Sequence, residues 1–185
     1  VSSMTYKSGS TVLEAYTYSY DKNNNIVKKT EKNSTAKEEK DHTDKTTEYT
    51  YNALGRLVKS VATDHKKNEE KTTTTYSYDS AGNRTKKVKG EEETAYTYNV
   101  NGNQIKETDK ETGDSVENTY DVENRLSTAT VTKKKSGTSG DETVSLTQEN
   151  LYNGDGQRIQ KKEAGEVTNY FYEDGMVSYT TGADT

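Results

Sequence analysis

Few side chains in this sequence have the type and spacing to do chemistry. His42 and His65 are its only histidines, and both stand in stretches dense in Lys, Glu and Asp. That setting reads as solvated loop rather than general base. Carboxylates cluster at Glu38 and Glu39, at Glu69 and Glu70, and at Glu91, Glu92 and Glu93. A carboxylate pair hydrolyses a glycoside only at a fixed separation across a cleft, and runs mixed with lysine at hairpin tips read as solvated edges instead. Asn153-Gly154-Asp155-Gly156 has a faint likeness to a calcium loop. The EF-hand spacing needs more acidic positions and a terminal Glu, so a hairpin turn accounts for the segment. The sequence contains no Gly-x-Ser-x-Gly elbow and no Gly-Lys-Ser or Gly-Lys-Thr phosphate loop. With no Cys it makes no disulfide and no thiolate metal site. The expectation is a chain that is not an enzyme, with no catalytic residue, metal ligand or cofactor.

Tyrosine is the exception, at 15 residues against one Phe and no Trp. Six times a Tyr is followed by Asp or Asn, two variable residues, and Gly or Asn. The copies are Tyr20-Asp21-Lys22-Asn23-Asn24, Tyr51-Asn52-Ala53-Leu54-Gly55, Tyr78-Asp79-Ser80-Ala81-Gly82, Tyr98-Asn99-Val100-Asn101-Gly102, Tyr120-Asp121-Val122-Glu123-Asn124 and Tyr152-Asn153-Gly154-Asp155-Gly156. A shortened seventh reads Tyr172-Glu173-Asp174-Gly175, and Tyr18, Tyr49, Tyr76, Tyr96 and Tyr170 each stand two residues before a repeat tyrosine. Aromatic ladders can stack on sugars, or they can stabilise a sheet through cross-strand pairs worth about 0.2–1 kcal/mol each. Every copy keeps its ring beside the turn, which favours structure over sugar binding.

The elements that position these residues follow from the same pattern. Residues two apart on a strand share a face, so Tyr-x-Tyr sets two rings side by side. Asp or Asn next hydrogen-bonds backbone two residues on and starts a turn. Gly or Asn in the fifth place tolerates positive φ, as a type I turn closed by a left-handed residue requires. The turn residues are therefore Asn24, Gly55, Gly82, Gly102, Asn124 and Gly156, and the structural tyrosines Tyr20, Tyr51, Tyr78, Tyr98, Tyr120, Tyr152 and Tyr172.

Each turn leads into a return strand rich in Val, Ile, Leu and Thr, residues that fit a pleated, half-buried surface. Opposite turns are expected at Gly90-Glu91-Glu92, Glu111–Asp114 and Ala164-Gly165-Glu166. Longer solvated connections are expected at Asn33–His42, His65–Glu70 and Ser136–Asp141, with a brief helical turn within Thr35–Lys45. Short connections make consecutive strands antiparallel neighbours. The fold class is thus all-β, a long curved or spiralling meander of tandem hairpins with about fourteen strands. It forms one array over residues 1–185, with repeat cores at 16–27, 47–58, 74–85, 94–105, 118–127, 150–159 and 168–177. The absence of Pro agrees, since Pro cannot donate to a ladder.

Composition narrows the function. Hydrophobic residues make up 26%, well below the share in an ordinary globular domain. Lys and Arg number 26 against 31 Asp and Glu, for a net charge of −5. That balance leaves no basic footprint for nucleic acid. No apolar run approaches a membrane span and no signal peptide is visible. The first residue is Val, which reads as a piece of a longer polypeptide.

The segments Tyr78–Thr85, Tyr120–Leu126 and Tyr51–Leu57 resemble the core of the tyrosine–aspartate repeat, the YD or Rhs repeat of bacterial Rhs proteins, wall-associated proteins, toxin-complex components and teneurins. The resemblance covers about Tyr16 to Tyr179. It implies hairpins joined edge to edge into a hollow shell, which in polymorphic toxins encloses a C-terminal toxin domain. It also implies a secreted or cell-surface location. The Pro-containing segment at which such shells cleave themselves is absent from this sequence, so neither cleavage site nor toxin is expected within it. The function expected is a structural repeat module of such a shell or spacer. The alternative is a carbohydrate or cell-wall binding module using exposed tyrosines. The partners expected are the neighbouring repeats, a cell-surface glycan, and other copies through edge-strand self-association.

Overall fold

The computed structural model describes residues 2–34, 42–137 and 140–182. All regular structure in them is β: fifteen strands hydrogen-bonded in sequence order, a meander of hairpins. The chain divides into two compact units, Val1–Ser77 with Lys87–Glu91, and Tyr78–Lys86 with Glu92–Thr185.

The first unit holds β1 (Ser3–Ser8), β2 (Thr11–Tyr20), β3 (Ile26–Asn33), β4 (Thr43–Tyr51), β5 (Leu57–Asp64) and most of β6 (Glu70–Tyr78). Its pairs are antiparallel, and their register sets the two faces. One face carries Tyr16, Tyr18, Tyr49 and Thr74; Thr74 is buried. The other carries a cross-strand row, Thr17, Thr30, Thr46 and Thr63. The Thr17 and Thr30 hydroxyls are bonded to each other within it.

After β7 (Arg84–Lys89), which both units share, the second unit continues with β8 (Glu92–Tyr98), β9 (Gln104–Asp109), β10 (Ser115–Tyr120), β11 (Leu126–Gly137), β12 (Gly140–Tyr152), β13 (Arg158–Glu163), β14 (Glu166–Glu173) and β15 (Met176–Thr181). Tyr96, Asn150 and Thr168 are its buried residues among those described. Register places Asn150 and Thr168 on one face, both opposite Lys161. Hydroxyl pairs occupy the opposite face: Thr119–Thr128 at 2.7 Å, Thr130–Thr147 at 2.9 Å and Thr132–Ser145 at 3.0 Å. Tyr96 is the one hydrophobic residue counted as buried among those described. Ladder bonds and long side chains lying across their neighbours therefore hold the sheet, rather than an oil-drop core.

Three expectations need correction. There are fifteen strands rather than about fourteen, because β1 precedes the first repeat and bears no tyrosine–turn punctuation. Ser136–Asp141 is not a long loop: β11 reaches Gly137, β12 restarts at Gly140, and Ser136 pairs with Asp141. Thr and Val recur on both strands, Thr128, Thr130, Val131 and Thr132 on β11 and Thr143, Val144 and Thr147 on β12, and suit a ladder that runs on to Gly137 and Gly140. Thr43–Lys45 is strand rather than helical turn, because β4 pairs with β3 from Thr43 onward. Residues 35–41, including Glu38 and Glu39, lie outside the described residues.

Candidate functional site

The feature that recurs is the hairpin end. In each complete copy the Asp or Asn after the repeat tyrosine does four things. Its N–H donates to the carbonyl of the residue four on, its carbonyl accepts from the fifth-position N–H, and its side-chain oxygen accepts backbone N–H groups two and four residues on. At Asn52 these are Asn52 N–H to Arg56 O at 2.9 Å, Gly55 N–H to Asn52 O at 2.9 Å, and Leu54 and Arg56 N–H to Oδ1, both at 3.0 Å. The same backbone pair recurs at Asp21, Asp79, Asn99, Asp121 and Asn153. The fifth residues take positive φ: Asn24 at 62°, Gly55 at 74°, Gly82 at 97°, Gly102 at 81°, Asn124 at 62° and Gly156 at 80°. Only Gly, and Asn at small cost, enters that region freely. The shortened copy reverses through Asp174 at 50° and Gly175 at 80°.

The closing side chain complements the opener. Asp21 takes the Asn25 amide at 2.9 Å, Asp79 the Asn83 amide at 3.0 Å and Asp121 the Arg125 Nε at 2.7 Å, whereas Asn153 instead donates to Gln157 Oε1 at 2.8 Å. These bonds hold the Asp carboxyls below their ordinary pKa: Asp21 and Asp79 chiefly through the Asn25 and Asn83 side chains, Asp121 chiefly through the Arg125 N–H. Hydrogen bonding to the charged form favours ionisation.

Beside each of six turns the ladder skips one return-strand residue, giving a β-bulge at Val27, Val58, Ile105, Ser127, Ile159 and Ser178. A bulge bends its strand and increases local twist.

The repeat tyrosine completes the unit. Its hydroxyl reaches past its own hairpin to a backbone carbonyl at the start of the preceding return strand. Tyr51 donates to Ile26 O at 2.8 Å, Tyr98 to Arg84 O at 2.9 Å, and Tyr120, Tyr152 and Tyr172 to Gln104, Leu126 and Arg158 O, each at 3.0 Å. In every case the acceptor lies six residues beyond the preceding repeat tyrosine. Burial raises the Tyr51 and Tyr98 pKa values above the phenol norm. Tyr20 stands at the end of β2, more exposed than the others, and Tyr78 is half-buried at the end of β6.

Sequence reasoning singled out neither the acceptors nor the arginines. The acceptors are main-chain atoms and leave no side-chain signal. The arginines do: Arg84, Arg125 and Arg158 follow their turns and lie 4.8, 4.9 and 4.8 Å from the ring centres of Tyr96, Tyr152 and Tyr170. Arg158 also donates to Asn150 Oδ1 at 3.3 Å. In the Tyr120 copy the position two residues before is Asn118, whose amide donates to the same Gln104 carbonyl as the Tyr120 hydroxyl, at 3.1 Å.

The fifteen tyrosine rings do not form an exposed row: Tyr6, Tyr20 and Tyr179 are the exposed ones, on separate strands. An open groove of about 620 Å³ in the second unit lies between the third and fourth turns, lined by Asp79, Ala81, Asn83, Tyr96, Asn99 and Val100 among others. Both Asp79 oxygens already accept from Asn83, so the groove offers chiefly amides and hydroxyls. Glu93 pairs with Lys86 at 3.1 Å, and Asp155 N–H closes on Asn153. Among the described residues no group of three or more His, Cys, Asp or Glu is placed to hold a metal ion, and no helix is long and apolar enough to cross a membrane.

No family model and no curated protein matches the sequence. Solved structures do match in fold. The crystal structure of TcdB2-TccC3-TEV aligns with a TM-score of 0.58 at 18% identity, covering 88% of this chain and 9% of that one. TcdB2-TccC3 without its hypervariable C-terminal region aligns at 0.59 and 17% identity, again over 88% and 9%. This chain thus spans less than a tenth of those chains, and at such identity the likeness is one of fold.

Proposed function

We propose that the chain is a wall segment of a hollow YD-repeat shell, a structural module. The observation that carries this reading is the hydroxyl-to-carbonyl clamp, repeated at Tyr51, Tyr98, Tyr120, Tyr152 and Tyr172. A tyrosine spent on joining one hairpin to the one before it is a mortar joint. It explains why the residue type recurs at every turn when strand composition otherwise drifts. The fold shared with TcdB2-TccC3 chains supports the same reading. Enclosing a toxin and export from a bacterial cell belong to this proposal as properties of a longer polypeptide.

The test is coupling between hairpins. In an array whose units contact chiefly their neighbours, adjacent joints interact and distant ones do not. Tyr98→Phe and Tyr120→Phe should be non-additive in denaturant unfolding, by about 0.5 kcal/mol or more. Tyr51→Phe and Tyr152→Phe should be additive. Additivity in both pairs would overturn the wall reading. Fractionation of cells carrying the gene tests export, and recovery only from the cytosol would count against it. A glycan array tests the carbohydrate alternative, for which the scattered exposed tyrosines give no support.

A further inference from the structure

One cluster in the first unit is not absorbed by the repeat. In the connection from β5 to β6, His65 Nδ1 lies 2.9 and 3.0 Å from the two carboxylate oxygens of Glu69, and its Nε2 lies 2.8 Å from Thr46 Oγ1 on β4. An ionised carboxylate only accepts, so Nδ1 carries a proton, and in the neutral ring the Nε2 lone pair receives the Thr46 hydroxyl proton. The His65 N–H donates to Asp44 O at 2.9 Å and fixes the loop to β4.

Glu69 has φ 62°, a region filled in the repeat turns by Gly or Asn. Of the six non-glycine residues with positive φ among those described, it is the one with a long side chain. A left-handed conformation costs a residue with a Cβ about 1–2 kcal/mol. Folding back the chain there brings the carboxylate onto the imidazole. The His65 and Glu69 side chains are 33% and 64% exposed, so the group is open to a small molecule.

We propose that Thr46, His65 and Glu69 form a hydroxyl–imidazole–carboxylate relay that makes Thr46 an acyl acceptor for small activated carboxylic esters. Thr46 Oγ1 bonds to the ester carbonyl carbon as its proton passes to His65 Nε2. Glu69 holds the ring tautomer and stabilises the imidazolium. The Thr63 hydroxyl, beside Thr46 in the cross-strand row, is a donor for the carbonyl oxygen as it gains charge. The bond from carbon to the leaving oxygen then breaks, the imidazolium returns its proton to that oxygen, and Thr46 is left as an ester. Water attacking the ester by the same route releases a carboxylic acid and restores the hydroxyl. This departs from the expectation that both histidines are solvated loop residues and the chain no enzyme, and it stands independently of the wall reading.

The test treats the whole chain with p-nitrophenyl acetate at neutral pH, follows p-nitrophenol release and locates the acetyl group by peptide mass mapping. Acetyl on Thr46 is the expected result. Thr46→Val, which suits a strand, should abolish that adduct, and His65→Gln should slow acylation by about 10²- to 10⁴-fold, the usual contribution of a general base. Glu69→Gly relieves the positive φ and should hold or raise Tm while slowing acylation of Thr46. Acetyl on lysines with Thr46 unmodified in the native chain would overturn the proposal without recourse to a variant. So would equal acylation of Thr46 in His65→Gln.

Discussion

Removing one phenolic oxygen from the array gives a graded, quantitative outcome. In Tyr152→Phe the ring keeps its place under the Arg125 guanidinium, 4.9 Å from the ring centre, and only the donor to Leu126 O is lost. A hydrogen bond contributes a net ~0.5–1.5 kcal/mol, more when its loss leaves a partly buried acceptor unsatisfied. Tyr152→Phe should therefore cost about 1–1.5 kcal/mol. In Tyr120→Phe the Gln104 carbonyl still accepts from the Asn118 amide at 3.1 Å, so its loss is cushioned. The cost there falls to the low end, about 0.5 kcal/mol. Asn118→Ala in the Tyr120→Phe background strips that carbonyl of both side-chain donors. Its penalty should exceed the sum of the single changes by about 0.5 kcal/mol or more. Urea unfolding gives the totals, read as midpoint shifts at constant slope. Amide exchange over Leu126–Thr128 and Gln104–Lys106 localises them. If Tyr120→Phe proved as costly as Tyr152→Phe, the Asn118 amide would not cushion the loss; if neither change cost anything measurable, the hydroxyls would not act as hairpin-to-hairpin donors.

Three further outcomes follow from the turns and the tyrosines. Gly55→Ala and Gly102→Ala should each cost about 1–2 kcal/mol for the left-handed backbone. At Gly102 the added Cβ meets only Asn83 Oδ1 at 3.6 Å, an ordinary contact, so thermal melts should show similar losses at both sites. The carboxyls of Asp21, Asp79 and Asp121 are held below their ordinary pKa, so their contribution is complete above the usual Asp range and lost as pH falls through the lower folded values. On acidification, hydrogen exchange should open these three turns before those of Asn52, Asn99 and Asn153. The Tyr51 and Tyr98 pKa values are raised, so their contribution is complete below the ordinary phenol pKa of about 10 and lost as pH climbs through the folded values. Alkaline unfolding should track phenolate absorbance and begin later at these two tyrosines than in a denatured control.

Local chemistry was legible in the sequence wherever one residue acts on its own neighbours. Tyr-x-Tyr, an Asx residue and a fifth-place Gly or Asn lie within a few positions of each other, and turn, positive φ and antiparallel partner all follow from that short-range grammar. Strand length was less legible. β11 and β12 outrun the hairpins beside them because a ladder continues wherever both strands alternate suitably, whatever turn residues stand nearby. The targets of the tyrosine hydroxyls were not legible at all, since Ile26, Arg84, Gln104, Leu126 and Arg158 present main-chain carbonyls that no residue type advertises. The same holds for Thr46, His65 and Glu69: one lies in mid-strand and two in the connection from β5 to β6, cross-strand register brings Thr46 to His65, and the fold-back at Glu69 brings its carboxylate onto the ring. Sequence spacing fixes what residues within a turn can reach, but contacts between strands depend on register, which exists only once the sheet has formed.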